Sequence, residues 1–176
     1  MSENVDQKSQ FKEIMGRYPT GVTVITTNNE NGDPIGMTVN SFSSLSMDPL
    51  MILWSIRKDA TEFDAFVNAE KFAVNILDGD NIEVGKKFAS KDKSNRFNQK
   101  NWHVSSQQLP VLNNVYAVME CETVQVVEAG DHIILIGQVT DLEKHSDTPM
   151  LYYNREMGHI PADWASQAKP NHVKHT

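Results

Sequence analysis

The sequence contains very little cysteine, since Cys121 is the only one among 176 residues. A single thiol cannot form an intrachain disulfide, which is typical of proteins from a reducing compartment. Long apolar runs are also missing, because none approaches the roughly 18 residues that span a bilayer. The first ten residues, MSENVDQKSQ, hold no apolar segment of a secretory signal. The sequence therefore predicts a cytoplasmic protein that does not contact membranes, with Cys121 packed in its core.

Positive charge is scarce as well. The chain has 16 Lys and Arg against 23 Asp and Glu, a formal net charge of −7, which argues against nucleic-acid binding over the whole surface. It has no G-x-G-x-x-G segment, no Walker loop and no G-x-S-x-G segment, so a Rossmann site, a P-loop site and a nucleophile elbow are disfavoured. The six histidines are scattered: Glu156-x-x-His159 has no third ligand nearby, and His172-x-x-His175 lies in a polar tail. We therefore expect no bound metal.

The length suits one domain, and the spacing of apolar residues predicts a mostly β fold. We expect a flexible N-terminus over residues 1–8, a domain over 9–160, and a polar C-terminal tail over 161–176. Strands come in runs without strand–helix alternation, which favours a small antiparallel barrel with short helices at its margins. The predicted strands are 21–27, 35–40, 50–56, 71–77, 115–128 and 132–142. The predicted helices are 9–17, with Ser9 as its N-cap, 61–69, and 80–88, with Asp80-x-x-Glu83 as a capping box. Residues 90–110 are expected to be irregular.

The segment Thr38–Ser46 is rich in polar side chains, because six of its nine residues carry a hydroxyl or an amide. These groups suit a ligand that presents carbonyls, ring nitrogens and phosphate oxygens. They also compete for backbone hydrogen bonds and favour turns, so a solvated strand end is an equally simple interpretation. Composition alone leaves both open.

A second segment concentrates positive charge in an otherwise acidic chain. Six cations and one anion, Asp92, fall within fifteen residues, so the window carries +5 and the remaining residues carry −7 − 5 = −12. A local positive island of this kind is a candidate phosphate site, although a solvated lysine face would have the same composition. The six cations are Lys86, Lys87, Lys91, Lys93, Arg96 and Lys100.

A third segment, Glu128-Ala129-Gly130-Asp131-His132, is predicted to form the tight turn of a hairpin. A histidine at a strand end can face a cleft, where its near-neutral pKa allows it to donate a hydrogen bond or a proton. The simpler interpretation is a turn histidine bonded to Asp131.

Six segments, taken in order between residues 10 and 158, resemble the short-chain flavin reductases, the small reductase partners of two-component flavin monooxygenases. The most specific are GMTVNSFSSLSMDP at 36–49 and EAGDH at 128–132, and the others are RYPTGV at 17–22, FAVNIL at 72–77, FA at 88–89 and PMLYY at 149–153. The chain departs from the family at Tyr18, where Phe is more usual, and at Asn40, where a small residue is frequent. Residues 154–158 also lack the usual Arg-Gly-aromatic pattern.

The resemblance implies an FMN-binding split barrel, that is, a six-stranded antiparallel Greek-key split β-barrel that forms a homodimer. It implies an NAD(P)H:flavin oxidoreductase that transfers hydride from NADH, or NADPH, to FMN or FAD and supplies reduced flavin to a partner oxygenase. A non-catalytic flavin-binding protein on the same barrel is the alternative, and a barrel without a ligand is a third possibility.

The resemblance also implies site residues. His132 is expected to be catalytic, and the nicotinamide is expected near Arg17, His132 and Tyr152. The flavin phosphate is expected near Ser55 and near Phe88, Ala89, Lys91 and Lys93. The remaining flavin contacts are expected from Thr20, Met37, Thr38, Val39, Asn40, Ser41, Ser43 and Ser44.

Overall fold

A computed structural model describes residues 2–165 of the chain, and residues 166–176, which include His172 and His175, lie outside the described residues. The helices and strands follow one another as α1 (Ser2–Arg17), β1 (Thr23–Asn28), β2 (Pro34–Val39), β3 (Ser43–Met47), β4 (Leu50–Arg57), α2 (Phe63–Val67), β5 (Lys71–Ile76), α3 (Ile82–Ala89), β6 (Trp102–Val104), β7 (Pro110–Leu112), β8 (Ala117–Ala129), β9 (His132–Lys144), β10 (Leu151–Tyr153), β11 (Glu156–Gly158) and α4 (Ala162–Ala165).

One antiparallel sheet of seven strands dominates the fold, in the order β2-β1-β5-β8-β9-β4-β3. All six predicted strands belong to it, but the predicted number is wrong because β3 is a seventh. Strand β3 was missed because its Ser43–Met47 sequence is largely exposed and polar, so it lacks an apolar pattern. Two further pairs, β10–β11 and β6–β7, form small separate sheets, so residues 90–110 are not wholly irregular.

The two edges of the large sheet are held near each other by the chain itself. The edge strands β2 and β3 are consecutive in sequence and only residues 40–42 separate them. The end of β2 and the start of β3 are therefore close together, although the two strands lie at opposite ends of the strand order. Within residues 2–165 no backbone ladder joins β2 to β3, so the sheet is open at this point.

The core has two parts, one on each face of the central strands. Strands β1 and β5 are buried on both faces because TVITT and FAVN are continuous runs that present one side chain after another to opposite cores. In one core Trp54 packs edge-to-face on Phe66 and Phe72, with ring centroids 5.5 and 5.8 Å apart. Burying each of these rings stabilises the fold by roughly 2–3 kcal/mol. The second core contains Leu77 and Phe88 and lies beneath α3 and β7.

Cys121 is buried in the first core, as the sequence predicts. It pairs in register with Phe72, and Gly137 lies against both side chains. Burial raises the pKa of its thiol to about 12, so this thiol stays protonated and unreactive at neutral pH.

The helix boundaries depart from the sequence prediction. The predicted start at Ser9 is wrong, because α1 begins at Ser2 and so includes residues that were expected to form a flexible terminus. The predicted capping box is also wrong: Asn81 precedes the first turn of α3, and its Oδ1 accepts a hydrogen bond from the Asp78 N–H at 2.8 Å. Helix α2 is shorter than predicted. None of the helices within residues 2–165 has the length and apolar character needed to cross a bilayer.

Candidate functional site

One cleft, which we call the histidine cleft, brings together seven of the residues expected to bind flavin or nicotinamide. Its volume is about 270 Å³. The expected residues come from β2, from the β2–β3 link, from β4 and from β9, so residues as distant in sequence as 37 and 132 line one cleft. The cleft is lined by Met37, Thr38, Val39, Asn40, Ser41, Ser55, Ile56, Arg57, Asp59, Ala60 and His132.

The hydroxyls of this cleft fix its wall. Ser41 Oγ donates to the Ser55 carbonyl at 2.9 Å and accepts from the Ser55 N–H at 3.0 Å, which ties the β2–β3 link to β4. Thr38 Oγ1 donates to the Gly85 carbonyl of α3 at 2.7 Å. These protons are used by backbone carbonyls, so the two hydroxyls mainly position the strand. The outer backbone row of β2 has no strand partner in the described sheet, because β2 is one of its edges.

His132 is the first residue of β9, directly after the turn at Gly130, whose φ of 60° suits a residue without a side chain. Its Nδ1 lies 2.7 Å from Asp131 Oδ1. The hydrogen bond from His132 lowers the pKa of Asp131, so the carboxylate is ionised and Nδ1 carries the proton. This leaves Nε2 as the ring nitrogen for a ligand. The two interpretations of this histidine are therefore compatible, since it is bonded to Asp131 and also lines the cleft.

Charged side chains lie at the rim of the histidine cleft, next to His132. Arg57 pairs in register with His132 and donates from Nε and Nη2 to Asp59 at 2.8 and 2.7 Å. Their hydrogen bonds raise the pKa of Arg57 and lower that of Asp59. Lys58 forms an ion pair with Glu128 on the neighbouring hairpin. The sequence did not single out Arg57 or Asp59, although their position directly after a buried strand was a usable signal.

A second and larger cleft, the lysine cleft, is lined by Thr61 and Glu62, whereas the preceding Asp59 and Ala60 line the histidine cleft. Its volume is about 670 Å³. Ile35 of β2 lines this cleft whereas Met37, two residues along the same strand, lines the histidine cleft. Lys93 lies here and not with the Met37–Ser41 segment. The lysine cleft is lined by Asn28, Asn29, Glu30, Asn31, Ile35, Thr61, Glu62, Asp64, Ala65, Asn68, Ala69 and Lys93.

The cations of the positive island have different surroundings. Lys93 Nζ is 3.0 Å from Glu62 Oε1, and Arg96 Nη1 is 3.6 Å from Glu62 Oε2. Arg96 is buried and donates to the Gly36 carbonyl at 2.7 Å and to the Ser90 carbonyl. The island is therefore more than a solvated lysine face, because one of its cations holds β2 to the end of α3.

Several other expected residues lie apart from both clefts. Thr20 and Tyr152 exchange two backbone hydrogen bonds of 2.9 and 2.7 Å, which hold β10 beside the start of β1. Arg17, at the end of α1, forms an exposed ion pair with Glu13 at 3.3 Å. Arg155, which follows β10, contacts Gly16 of α1 through its side chain, so the segment with Tyr152 and the helix with Arg17 are linked.

The remaining expected residues lie on β3 and at the end of α3. Ser43 and Ser44 are exposed on the edge strand β3. The Phe88 side chain is buried in the second core against Gly36 and packs edge-to-face on Phe97 of the loop that follows α3, so it is not free to contact a ligand. Ala89 ends α3, and Lys91 is exposed in the next loop.

A third cleft of about 250 Å³ lies at the far end of the β8–β9 hairpin and is lined by none of the expected residues. It contains Glu120, whose carboxylate accepts from Ser105 Oγ, together with His103 and His145. Within residues 2–165 no group of three or more His, Cys, Asp or Glu side chains is arranged to hold a metal ion.

Residues 15–161 of the chain match the model of the flavin reductase like domain. Over 149 residues the chain is 40% identical to the reductase component of the flavin-dependent trigonelline monooxygenase of Acinetobacter baylyi, covering 85% of this chain and 48% of that protein. It is 33% identical to the FMN reductase (NADH) SmoA of Agrobacterium fabrum, with 87% and 86% of the two chains covered. The chain spans about half the length of the Acinetobacter protein and of a probable flavin reductase of Rhizobium meliloti.

Solved structures show the same architecture. The NADH:FAD oxidoreductase SgcE6 of Streptomyces globisporus, in complex with NAD and FAD fragments, superposes with a TM-score of 0.82 at 28% identity, over 90% of this chain and 95% of that chain. A nitrilotriacetate monooxygenase component B homologue from Mycobacterium thermoresistibile superposes with a TM-score of 0.84 at 29% identity, over 99% and 97% of the two chains.

Proposed function

The chain belongs to the flavin reductase-like domain family, and on that premise we propose that it transfers hydride from NADH, or NADPH, to FMN or FAD. The observation that carries the proposal is the histidine cleft, where segments distant in sequence bring Met37–Ser41, Ser55 and His132 together. Relatives named as reductase components of monooxygenases support an oxygenase partner that receives the reduced flavin. We place the protein in the cytoplasm.

The residues of the histidine cleft fit a flavin ring. The outer edge of β2 offers backbone donors and acceptors to a ring system that carries carbonyls and nitrogens along one side. When bound, the flavin supplies the redox chemistry, so the task of the chain is mainly positioning. Backbone N–H groups in this strand would also favour negative charge on a reduced ring.

His132 is the group in this cleft suited to proton transfer. Its Nδ1 is held by Asp131, so Nε2 can orient a nicotinamide or pass a proton to reduced flavin. Arg17 and Tyr152 remain proposed nicotinamide contacts. Lys93, and beside it Lys91, are proposed to meet the flavin phosphate, with Thr20, Ser43, Ser44, Phe88 and Ala89 as further flavin contacts.

We also propose a homodimeric split barrel. The apolar face of α1 is exposed at Phe11 and Ile14, each 66% exposed, and Met47 on β3 is 83% exposed. Helices in proteins gain most of their stability from packing of their apolar face, so a second copy that covers these side chains would stabilise α1. A cleft of about 270 Å³ is also slightly smaller than the roughly 300–1,000 Å³ typical of ligand sites, and a second copy could complete it. Sedimentation equilibrium of the purified chain tests the dimer.

The activity is tested by mixing the purified chain with FMN and NADH without oxygen. The proposal predicts loss of the yellow flavin absorbance, with one NADH consumed per flavin. Flavin that binds but stays oxidised would indicate the non-catalytic flavin-binding protein, and absence of binding would indicate a barrel without this ligand.

A further inference from the structure

Glu62 is a carboxylate held between two cations. Its side chain is 17% exposed, with Oε1 3.0 Å from Lys93 Nζ and Oε2 3.6 Å from Arg96 Nη1. A carboxylate removed from water to this extent is costly unless it is paired, so the two cations account for its position.

The two cations are held differently. Arg96 is fixed by the backbone, because its guanidinium donates to the carbonyls of Gly36 and Ser90 as well as facing Glu62. Lys93 has a side chain that is 39% exposed, and its ion pair is with Glu62. An ammonium on a flexible four-carbon stem can exchange one acceptor for another, whereas a clamped guanidinium cannot.

Strand β2 connects the histidine cleft to the lysine cleft, whose wall contains the Lys93–Glu62 pair. Met37 lines the histidine cleft and Ile35 lines the lysine cleft, and these residues are one strand repeat, about 7 Å, apart. A flavin side chain that leaves the first cleft along β2 would bring its phosphate towards Lys93.

Given the flavin reductase activity proposed above, we propose that Glu62 is a specificity-determining residue that competes with the flavin phosphate for Lys93. Its carboxylate lowers the affinity of the chain for phosphorylated flavins. When the phosphate leaves, Glu62 takes its place, so the cation is not left unpaired and release of reduced flavin is eased. This suits a reductase that hands its product to a second protein.

The test compares dissociation constants for FMN and riboflavin, which share the ring and differ in the phosphate. Glu62→Gln keeps the size of the side chain and removes its charge. We expect this variant to bind FMN roughly threefold to tenfold more tightly, the scale of a partly buried ion pair, and to bind riboflavin with unchanged affinity. Glu62→Asp keeps a carboxylate near Arg96 on a shorter stem, so we expect a smaller shift in the same direction.

Three controls isolate the pair. In a Lys93→Met background, Glu62→Gln should leave the ratio of FMN to riboflavin affinity unchanged, because the competing cation is gone. Asp64→Asn removes another carboxylate from the same cleft, and Glu122→Gln breaks the Lys71 ion pair on β5 and β8. Both should leave the ratio within about twofold of the parent chain. Thermal denaturation shows which variants are folded.

An unchanged FMN-to-riboflavin ratio in folded Glu62→Gln and Glu62→Asp overturns this inference alone, provided the parent chain binds both flavins and reduces FMN. Weaker FMN binding in Glu62→Gln overturns it as well, because Glu62 would then assist the phosphate. A parent chain that binds neither flavin overturns the proposed function and this inference together.

Discussion

The histidine cleft and the lysine cleft share strand β2 but hold their side chains in different ways. In the histidine cleft the Thr38 and Ser41 hydroxyls donate their protons to backbone carbonyls, and the charges lie at the rim in the pairs Arg57–Asp59 and Asp131–His132. In the lysine cleft the Lys93–Glu62 ion pair forms part of the lining. A rigid wall suits positioning for a reaction, whereas an exchangeable ion pair suits binding and release.

The comparison leads to a division of work between the two clefts. Loss of His132 from the histidine cleft should alter the rate of flavin reduction at nearly constant flavin affinity. Changes in the lysine cleft should alter affinity for the phosphate at nearly constant rate. Strand β2 serves both, so a change there should alter both.

The largest effect is expected for His132→Ala. Loss of the group that orients the nicotinamide or transfers a proton should lower the NADH-dependent rate at subsaturating NADH by about tenfold to a hundredfold. Flavin affinity should change little, because the backbone of β2 is untouched. Stopped-flow absorbance without oxygen measures the rate. His145→Ala, in the third cleft at the other end of the hairpin, is the matched control, and an unchanged rate in His132→Ala would remove this residue from the mechanism.

The next effect is expected for Gly36→Ala, on the strand that the two clefts share. An added Cβ would lie 2.8 Å from Phe88 Cε1, closer than real Cβ atoms come to a neighbour, and 3.1 Å from Thr26 Cγ2, which is also tight. Such overpacking costs about 1–3 kcal/mol of unfolding free energy, and displacement of Phe88 should disturb both clefts. Urea denaturation together with FMN titration measures this. Gly158→Ala, where a Cβ meets nothing within 4 Å, should be nearly neutral, and equal stability of the two variants would contradict the packing described.

A smaller effect is expected for Lys93→Ala in the lysine cleft. Without its ammonium the chain should bind FMN roughly fivefold more weakly while riboflavin binding stays the same. The rate at saturating flavin should not change. Flavin fluorescence titration with both ligands provides the measurement, and Lys91→Ala, exposed two residues away, should have the weaker effect. Equal weakening of FMN and riboflavin would exclude the phosphate role.

The smallest effect is expected for Asp78, which lies in neither cleft. Burial alone would raise its pKa, but donors from Ser146, the Asp80 N–H and Thr148 outweigh burial and lower it. A carboxyl with a lower pKa in the folded state stabilises the fold above its unfolded pKa of about 3.9, and this stabilisation is lost as the pH falls through the folded value. Asp78→Asn should therefore reduce stability by less than about 1 kcal/mol at pH 7, screening included, and by less still near pH 3. Melting curves at the two pH values compare these losses, and a loss that grows towards low pH would contradict the assignment.

The sequence predicted the strands and the histidine cleft better than the charges. Continuous apolar and β-branched runs such as TVITT and FAVN indicate buried strands, and Gly130 indicates the turn before His132. These strands and this turn could therefore be predicted from short stretches of sequence. Arg96 was found as part of the positive island, but its contact with Glu62 could not be, because these residues are 34 positions apart in sequence and meet only once the loop beyond α3 folds against β2. Strand β3 was missed because an exposed edge strand needs no apolar residues. The predicted first helix was too short at its start, because the first residues have no apolar pattern that would indicate a helix.

The division between the two clefts is tested most directly by one set of stopped-flow experiments without oxygen. His132→Ala and Lys93→Ala are each mixed with NADH over a range of FMN concentrations, which separates the limiting rate of flavin reduction from the FMN dissociation constant. The account predicts a lower limiting rate with an unchanged constant for His132→Ala, and an unchanged limiting rate with a weaker constant for Lys93→Ala. A variant that shifts both quantities together would contradict the division.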